Sequence, residues 1–178
     1  MNILNKFSVP FILTELSKDK QNKIYDLFLN QEKYLRDDDP HSKVYTDFFI
    51  PKNKNYIEDI VSILREDLYK FYSQVGFRNP IISQAWMQQY TQGCFMTPHN
   101  HGTTGYSAIY YIRFNPKEHE STRFISPIHD FITGDNNEYK PVVNQGTLLF
   151  FPSFLMHYAV PNSSTELRAI LSFNIIED

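Results

Sequence analysis

Six histidines, His41, His99, His101, His119, His129 and His157, are the chain's most chemically capable residues. His99 and His101 stand two apart. In an extended segment residues i and i+2 project to one face, so both imidazoles can reach a single point. That is a bidentate grip on a transition metal, for which imidazole is a good donor. Chance also yields His-x-His pairs in a chain with six histidines, so the pair alone leaves both readings open. His157 follows the apolar stretch GTLLFFPSF, residues 146–154. A third metal ligand and a half-buried, hydrogen-bonded histidine are both consistent with that setting. The others carry less. His41 lies in a polar loop, and His119 sits among Lys117, Glu118 and Glu120, so both are expected to be solvated. His129, beside Asp130, has a loop-like context.

Arg168 lies eleven residues past His157, in the otherwise apolar run LRAILSFNI. A buried guanidinium is costly unless an anion meets it. If His157 begins one strand and Arg168 lies on the next, the short turn at 161–165 makes them antiparallel neighbours. The guanidinium then suits a dicarboxylate that chelates a metal at one end and pairs with Arg168 at the other. An internal salt bridge, to Glu166 for instance, is the equal alternative.

The elements that must position these groups can be read from periodicity and turn residues. Residues 17–35 read as a helix with Ser17 as N-cap and Ile24, Leu27, Phe28 and Leu35 on one face. A stronger pattern, Ile57, Ile60, Val61, Leu64, Leu68, Phe71 and Val75, predicts a second helix that Gly76 ends, with Asn55 and Glu58 as a capping box. From residue 81 the pattern becomes strand-like: 81–90, 106–114, 123–125, 147–151, 157–160 and 167–176, separated by Gly, Pro and Asn clusters. Residues 129–140 are polar and read as a surface loop. Two helices followed by short antiparallel strands predict an α+β, mainly β fold, a jelly roll with two N-terminal helices packed on it. The expected organisation is one domain spanning residues 1–178, helical over residues 1–80 and with its β core over residues 81–178.

Composition narrows the class. The chain has 178 residues, 42% hydrophobic and 21% charged, which argues against disorder. Aromatics reach 16%, favouring strands. A formal charge of −3 argues against a dedicated nucleic-acid binder, which needs a basic excess. The single cysteine, Cys94, excludes an internal disulfide and any multi-cysteine metal site, and reads as a small core residue. No signal peptide or 18-residue apolar run is evident, so a cytoplasmic protein is expected, with no membrane partner.

The series Tyr90-x-x-Gly93, His99-x-His101, Gly146, FPSFLMH ending at His157, Arg168 and SFN ending at Asn174 resembles the iron(II)- and 2-oxoglutarate-dependent oxygenases. More narrowly it resembles the small, prolyl-hydroxylase-like members found in marine bacteria and phages. The resemblance covers roughly residues 80–176. It implies a double-stranded β-helix, the jelly-roll form named above. It implies iron(II) as cofactor, with 2-oxoglutarate and dioxygen as co-substrates. The reaction implied is hydroxylation of an unidentified small-molecule or peptidyl substrate, with release of succinate and carbon dioxide. His99 and His157 match the iron ligands, Arg168 the partner of the co-substrate's distal carboxylate, and Tyr90 a tyrosine that hydrogen-bonds 2-oxoglutarate.

Two positions depart from the family pattern. The second ligand, usually Asp or Glu, is His101, giving a triad of neutral imidazoles. The serine that usually follows two residues after the arginine is Ile170. Ser172, two residues further, and Asn174 remain candidates for cofactor binding on the same strand face. Trp86, Tyr110, Tyr111 and Phe151 are candidate pocket aromatics or plain core. A three-histidine cupin-like dioxygenase without 2-oxoglutarate is one rival, which the carboxylate-free triad favours and Arg168 disfavours. A non-catalytic jelly-roll binding module is the other.

Overall fold

The structure is a computed structural model and describes residues 8–37, 39–50 and 54–178. Its elements run in the order β1 (Ile12–Glu15), α1 (Lys18–Gln31), a 3-10 turn (Glu32–Tyr34), β2 (Tyr45–Thr46), α2 (Tyr56–Val75), β3 (Pro80–Tyr90), β4 (Met96–His99), β5 (Tyr106–Arg113), β6 (Arg123–His129), β7 (Asn136–Tyr139), β8 (Thr147–Pro152), β9 (His157–Ala159) and β10 (Arg168–Glu177).

Strand alternation separates two cores. On β10, Ala169, Leu171 and Phe173 point one way and meet Met87, Tyr110 and Phe150, together with Ile24 and Phe28 of α1 and Ile60, Leu64 and Phe71 of α2. Ile170 faces the other way, with Ile109, Tyr111, Leu149 and Phe151. The six-stranded sheet, ordered β1-β8-β5-β10-β3-β2, therefore carries the helices on one side and a second sheet on the other. That second sheet, ordered β4-β9-β6-β7, closes the jelly roll. Phe71 stacks on Phe150 at 4.1 Å between ring centroids, anchoring α2 to β8.

The helix signals hold only for some caps and faces. Ser17 caps α1, accepting from the Lys20 N–H at 3.4 Å. Gly76, with φ of 80°, ends α2 and donates to the Tyr72 carbonyl. The capping box does not form: Asn55 already has helical backbone angles and its side chain makes no capping bond, which requires an extended residue. Val61, placed on the apolar face, is exposed.

Strand content exceeds the expectation. β1 and β2 come from the region read as helical, and pair with β8 and β3. Residues 129–140 are not a plain loop: β6 runs on to His129 and pairs with β7 in a hairpin. β7, sequence NNEY, is exposed along its whole length and offers no alternation to detect. Among the described residues no helix is long and apolar enough to cross a membrane.

Candidate metal centre

β4 and β9 are antiparallel neighbours whose register sets His99 directly opposite His157. Their rings lie 4.4 Å apart, centroid to centroid. His101 follows the strand end, held by its N–H donating to the Ser153 carbonyl at 2.9 Å. Its ring is 5.1 Å from His99 and 5.0 Å from His157. One ligating nitrogen from each ring falls within 4.8 Å of the other two.

Backbone carbonyls orient two of the rings. His99 Nδ1 lies 2.8 Å from the Thr97 oxygen and His157 Nδ1 lies 2.9 Å from the Leu155 oxygen. A carbonyl only accepts, so both Nδ1 atoms carry the proton and Nε2 keeps its lone pair for a ligand role. Burial favours the neutral ring in every case. It lowers His99, brings His101 to about 4 and holds His157 well below the usual histidine range.

Arg168 is only 3% exposed, yet among the described residues no carboxylate pairs with it. Its guanidinium lies 4.6 Å from the Tyr90 ring centroid and donates one bond, to Thr122 Oγ1 at 3.2 Å. Its Nε has no partner. Glu166 turns elsewhere and accepts from Asn115 at 3.2 Å, so the internal ion pair does not form. Nor are Arg168 and His157 neighbouring strand residues, because β9 and β10 belong to different sheets. Arg168 itself borders a separate small cavity with Glu118 and Glu120, and it reaches the histidines only through its neighbours. Tyr90 and Thr122, the residues Arg168 touches, line the same inner chamber as the three histidines.

Residues 84–174, from β3 into β10, match the family model described as "Putative 2OG-Fe(II) oxygenase". The chain belongs to this family. As a 2OG-Fe(II) oxygenase it takes iron(II) as cofactor and 2-oxoglutarate as co-substrate. Solved structures share the fold at low identity. A Pseudomonas putida prolyl-4-hydroxylase is 14% identical, with a TM-score of 0.65 over 94% of this chain and 92% of that one. A viral collagen prolyl hydroxylase from Paramecium Bursaria Chlorella virus-1, in complex with 2-oxoglutarate, is 13% identical, with a TM-score of 0.61 over 94% and 96%. The α-ketoglutarate-dependent epimerase SnoN of nogalamycin biosynthesis is 12% identical, with a TM-score of 0.73 over 94% and 77%. No curated protein matches the chain.

The donor set fits the family's cofactors. Three imidazoles converge on one point, nitrogen donors that suit iron although His101 stands where the family carries a carboxylate, and among the described residues the Arg168 Nε has no hydrogen-bond partner. The inner chamber of this oxygenase is narrow, with about 20 Å³ of free volume, room for about one water.

The remaining candidates divide. Ser172 lines the chamber and donates a long bond to Gln88 Oε1, at 3.4 Å. Asn174 stands outside the lining. It accepts from Ser107 Oγ at 2.9 Å, Ser107 meets Ser153 Oγ at 2.9 Å, and the Ser153 carbonyl holds His101. Trp86 and Phe151 line the chamber, whereas Tyr110 belongs to the helix-side core. Tyr111 is buried between the sheets, its hydroxyl accepting from the Thr122 N–H at 3.2 Å. His41 is exposed, as expected; His129 is exposed too, but ends β6 rather than lying in a loop. His119 is not solvated: it is 7% exposed, with Nδ1 accepting from the Asn115 N–H and Nε2 donating to the Glu166 carbonyl. Charged sequence neighbours hid it, although they point outward from a turn that buries the ring. Thr122, Ser107 and Ser153 escaped the sequence reading, because a lone Ser or Thr carries no positional signal.

Proposed function

We propose that this oxygenase is a hydroxylase in which His99, His101 and His157 hold the iron and Arg168 receives the distal carboxylate of 2-oxoglutarate. One observation carries the reading: a buried guanidinium with an unpartnered Nε and no acidic partner, whose two contact residues share a chamber with three converging imidazoles. Bound iron(II) would supply the redox chemistry that couples oxidation of 2-oxoglutarate to succinate and carbon dioxide with insertion of one dioxygen oxygen into a substrate C–H bond.

The chain's own residues do the rest. Thr97 and Leu155 fix the tautomers of His99 and His157, so both present lone pairs without prior deprotonation. Arg168, braced on Tyr90 and Thr122, supplies a planar two-pronged donor for a carboxylate. Three neutral ligands leave the metal's charge for the dianionic co-substrate to offset, which couples the two binding steps. Trp86, Phe151 and Ile170 keep the chamber apolar and limit water. The buried, unpaired Cys94 suits a reducing, cytoplasmic setting.

The test is an anaerobic titration with iron(II) and then 2-oxoglutarate, following the visible charge-transfer band, with succinate release measured on admitting air. His157→Ala should abolish the band, and Arg168→Ala should raise the 2-oxoglutarate concentration needed to form it. An unchanged midpoint in Arg168→Ala would overturn the carboxylate assignment.

A further inference from the structure

Beyond the inner chamber lies a second cavity of about 290 Å³, which shares Trp86, Gln88, Met96, His99 and His101 with it. Resting on the assignment of those histidines as the reaction centre, we propose that this outer cavity binds a substrate with a cationic amine or ammonium head.

A file of rings leads from the centre to the rim. The His101 ring is 5.1 Å from Trp86, Trp86 is 5.1 Å from Phe48, and Phe48 is 5.0 Å from Phe49. The last two pairs are nearly perpendicular, at 89° and 83°, so faces and edges alternate along the wall. Phe49 is 53% exposed at the mouth, where its ring is open to a ligand.

Among the described residues, Asp39 supplies the only acidic or basic side chain in the lining apart from the histidines. Its Oδ1 accepts the His41 N–H at 2.9 Å, and among the described residues no lysine or arginine pairs with it. It is half-buried and lines the same cavity as His99. An anionic substrate would meet this carboxylate as repulsion, and a purely apolar one would strip its water without compensation. A cationic head satisfies it while lying against aromatic faces, the combination that recognises amines and quaternary ammonium groups.

The wall is built before any ligand arrives. Asp47, adjacent to Phe48, is fully buried; it accepts from the Met87 N–H at 2.8 Å, the Tyr56 hydroxyl at 2.7 Å and Gln31 at 3.1 Å. That pins the Phe48–Phe49 segment to β3 beside Trp86.

Trp86 is the chain's single tryptophan and lines both cavities, so its emission reports on the outer one when the occupancy of the inner one is held fixed through each titration. The experiment titrates the full chain, loaded with redox-inert zinc and 2-oxoglutarate and also without them, with choline and with its neutral isostere 3,3-dimethylbutan-1-ol. Choline should perturb Trp86 emission at a concentration roughly tenfold lower than the isostere. Asp39→Asn should erase that preference, and the exposed-site variant Phe49→Ala should weaken choline by roughly fivefold. Equal midpoints for the two probes, no response to choline, or a preference that survives Asp39→Asn would each overturn the proposal. Failure of the hydroxylase reading shows separately, as no iron-dependent consumption of 2-oxoglutarate in the unmodified chain.

Discussion

The Arg168 guanidinium rests 4.6 Å from the Tyr90 ring centroid, directly across the β10–β3 register, with no carboxylate paired to it among the described residues. A cation so placed is held by a ring face, one threonine hydroxyl and whatever anion enters. Arg168→Lys keeps the charge but loses the fork, so the apparent 2-oxoglutarate Kd should rise roughly tenfold to a hundredfold, with metal binding unchanged. Isothermal titration on the zinc-loaded protein checks this. Equal affinity would mean that the carboxylate binds elsewhere.

Tyr90 itself gives a pH prediction. Burial raises its hydroxyl to about 12, with Arg168 pulling the other way. The unfolded phenol titrates near 10, so the folded state keeps its proton longer. The sign follows: this contribution is fully present below about pH 10 and is lost as pH rises towards 12, amounting to roughly 2–3 kcal/mol. Urea midpoints between pH 8 and 11.5 should therefore fall more steeply for the wild type than for Tyr90→Phe. Parallel curves would contradict it.

The architecture is legible where periodicity is strong. α2 and β10 carry seven or more patterned positions each, and their boundaries follow from the sequence within a residue or two. β1, β2 and β7 are not legible, because two to four residues cannot show alternation and their pairing comes from partners far along the chain. His99, His101, His157 and Arg168 stand out because their chemistry is costly to bury without cause. Their relative placement does not: the turn between β9 and β10 looks like a hairpin, but the chain changes sheets there. His119 shows the converse error, in which charged sequence neighbours mask a buried ring.

Metal binding should register as stability. A ligand at a hundred times its Kd stabilises the native state by about 2.7 kcal/mol, worth roughly 5–10 °C in Tm for a domain of this size. Cobalt or zinc should raise the wild-type Tm by that amount, and a chelator should reverse it. His157→Ala should remove the shift. His101→Ala should reduce it if three imidazoles share the ion. A full shift in His101→Ala would reduce the protein side of the centre to His99 and His157.

The bonds from Asn174 through Ser107 and Ser153 to the His101 N–H give a remote residue leverage on the ring proposed as third ligand. Asn174→Ala frees Ser107 to rotate and loosens the segment that carries His101. Metal affinity should drop by roughly tenfold, the range typical of groups that orient ligands, with little change in 2-oxoglutarate affinity once metal is saturating. Competition against a chromophoric chelator measures the first and titration of the zinc-saturated protein the second. If 2-oxoglutarate affinity falls instead, Asn174 contacts the co-substrate directly and the positioning role is wrong.

Asp47 anchors the wall of the outer cavity. Its carboxylate satisfies a backbone N–H, a phenol hydroxyl and the Gln31 amide in the interior, so Asp47→Ala orphans all three. Each orphan costs about 1–3 kcal/mol, for a loss of roughly 3 kcal/mol in all and a Tm lower by roughly 6–12 °C. Asp47→Asn keeps the acceptor for Met87 and should lose about half as much. Because the same carboxylate pins Phe48 against Trp86, the emission maximum of Trp86 should shift to the red in Asp47→Ala even at temperatures where the chain is folded. An unshifted maximum in a destabilised but folded variant would mean that Phe48 keeps its place on β3 without this anchor.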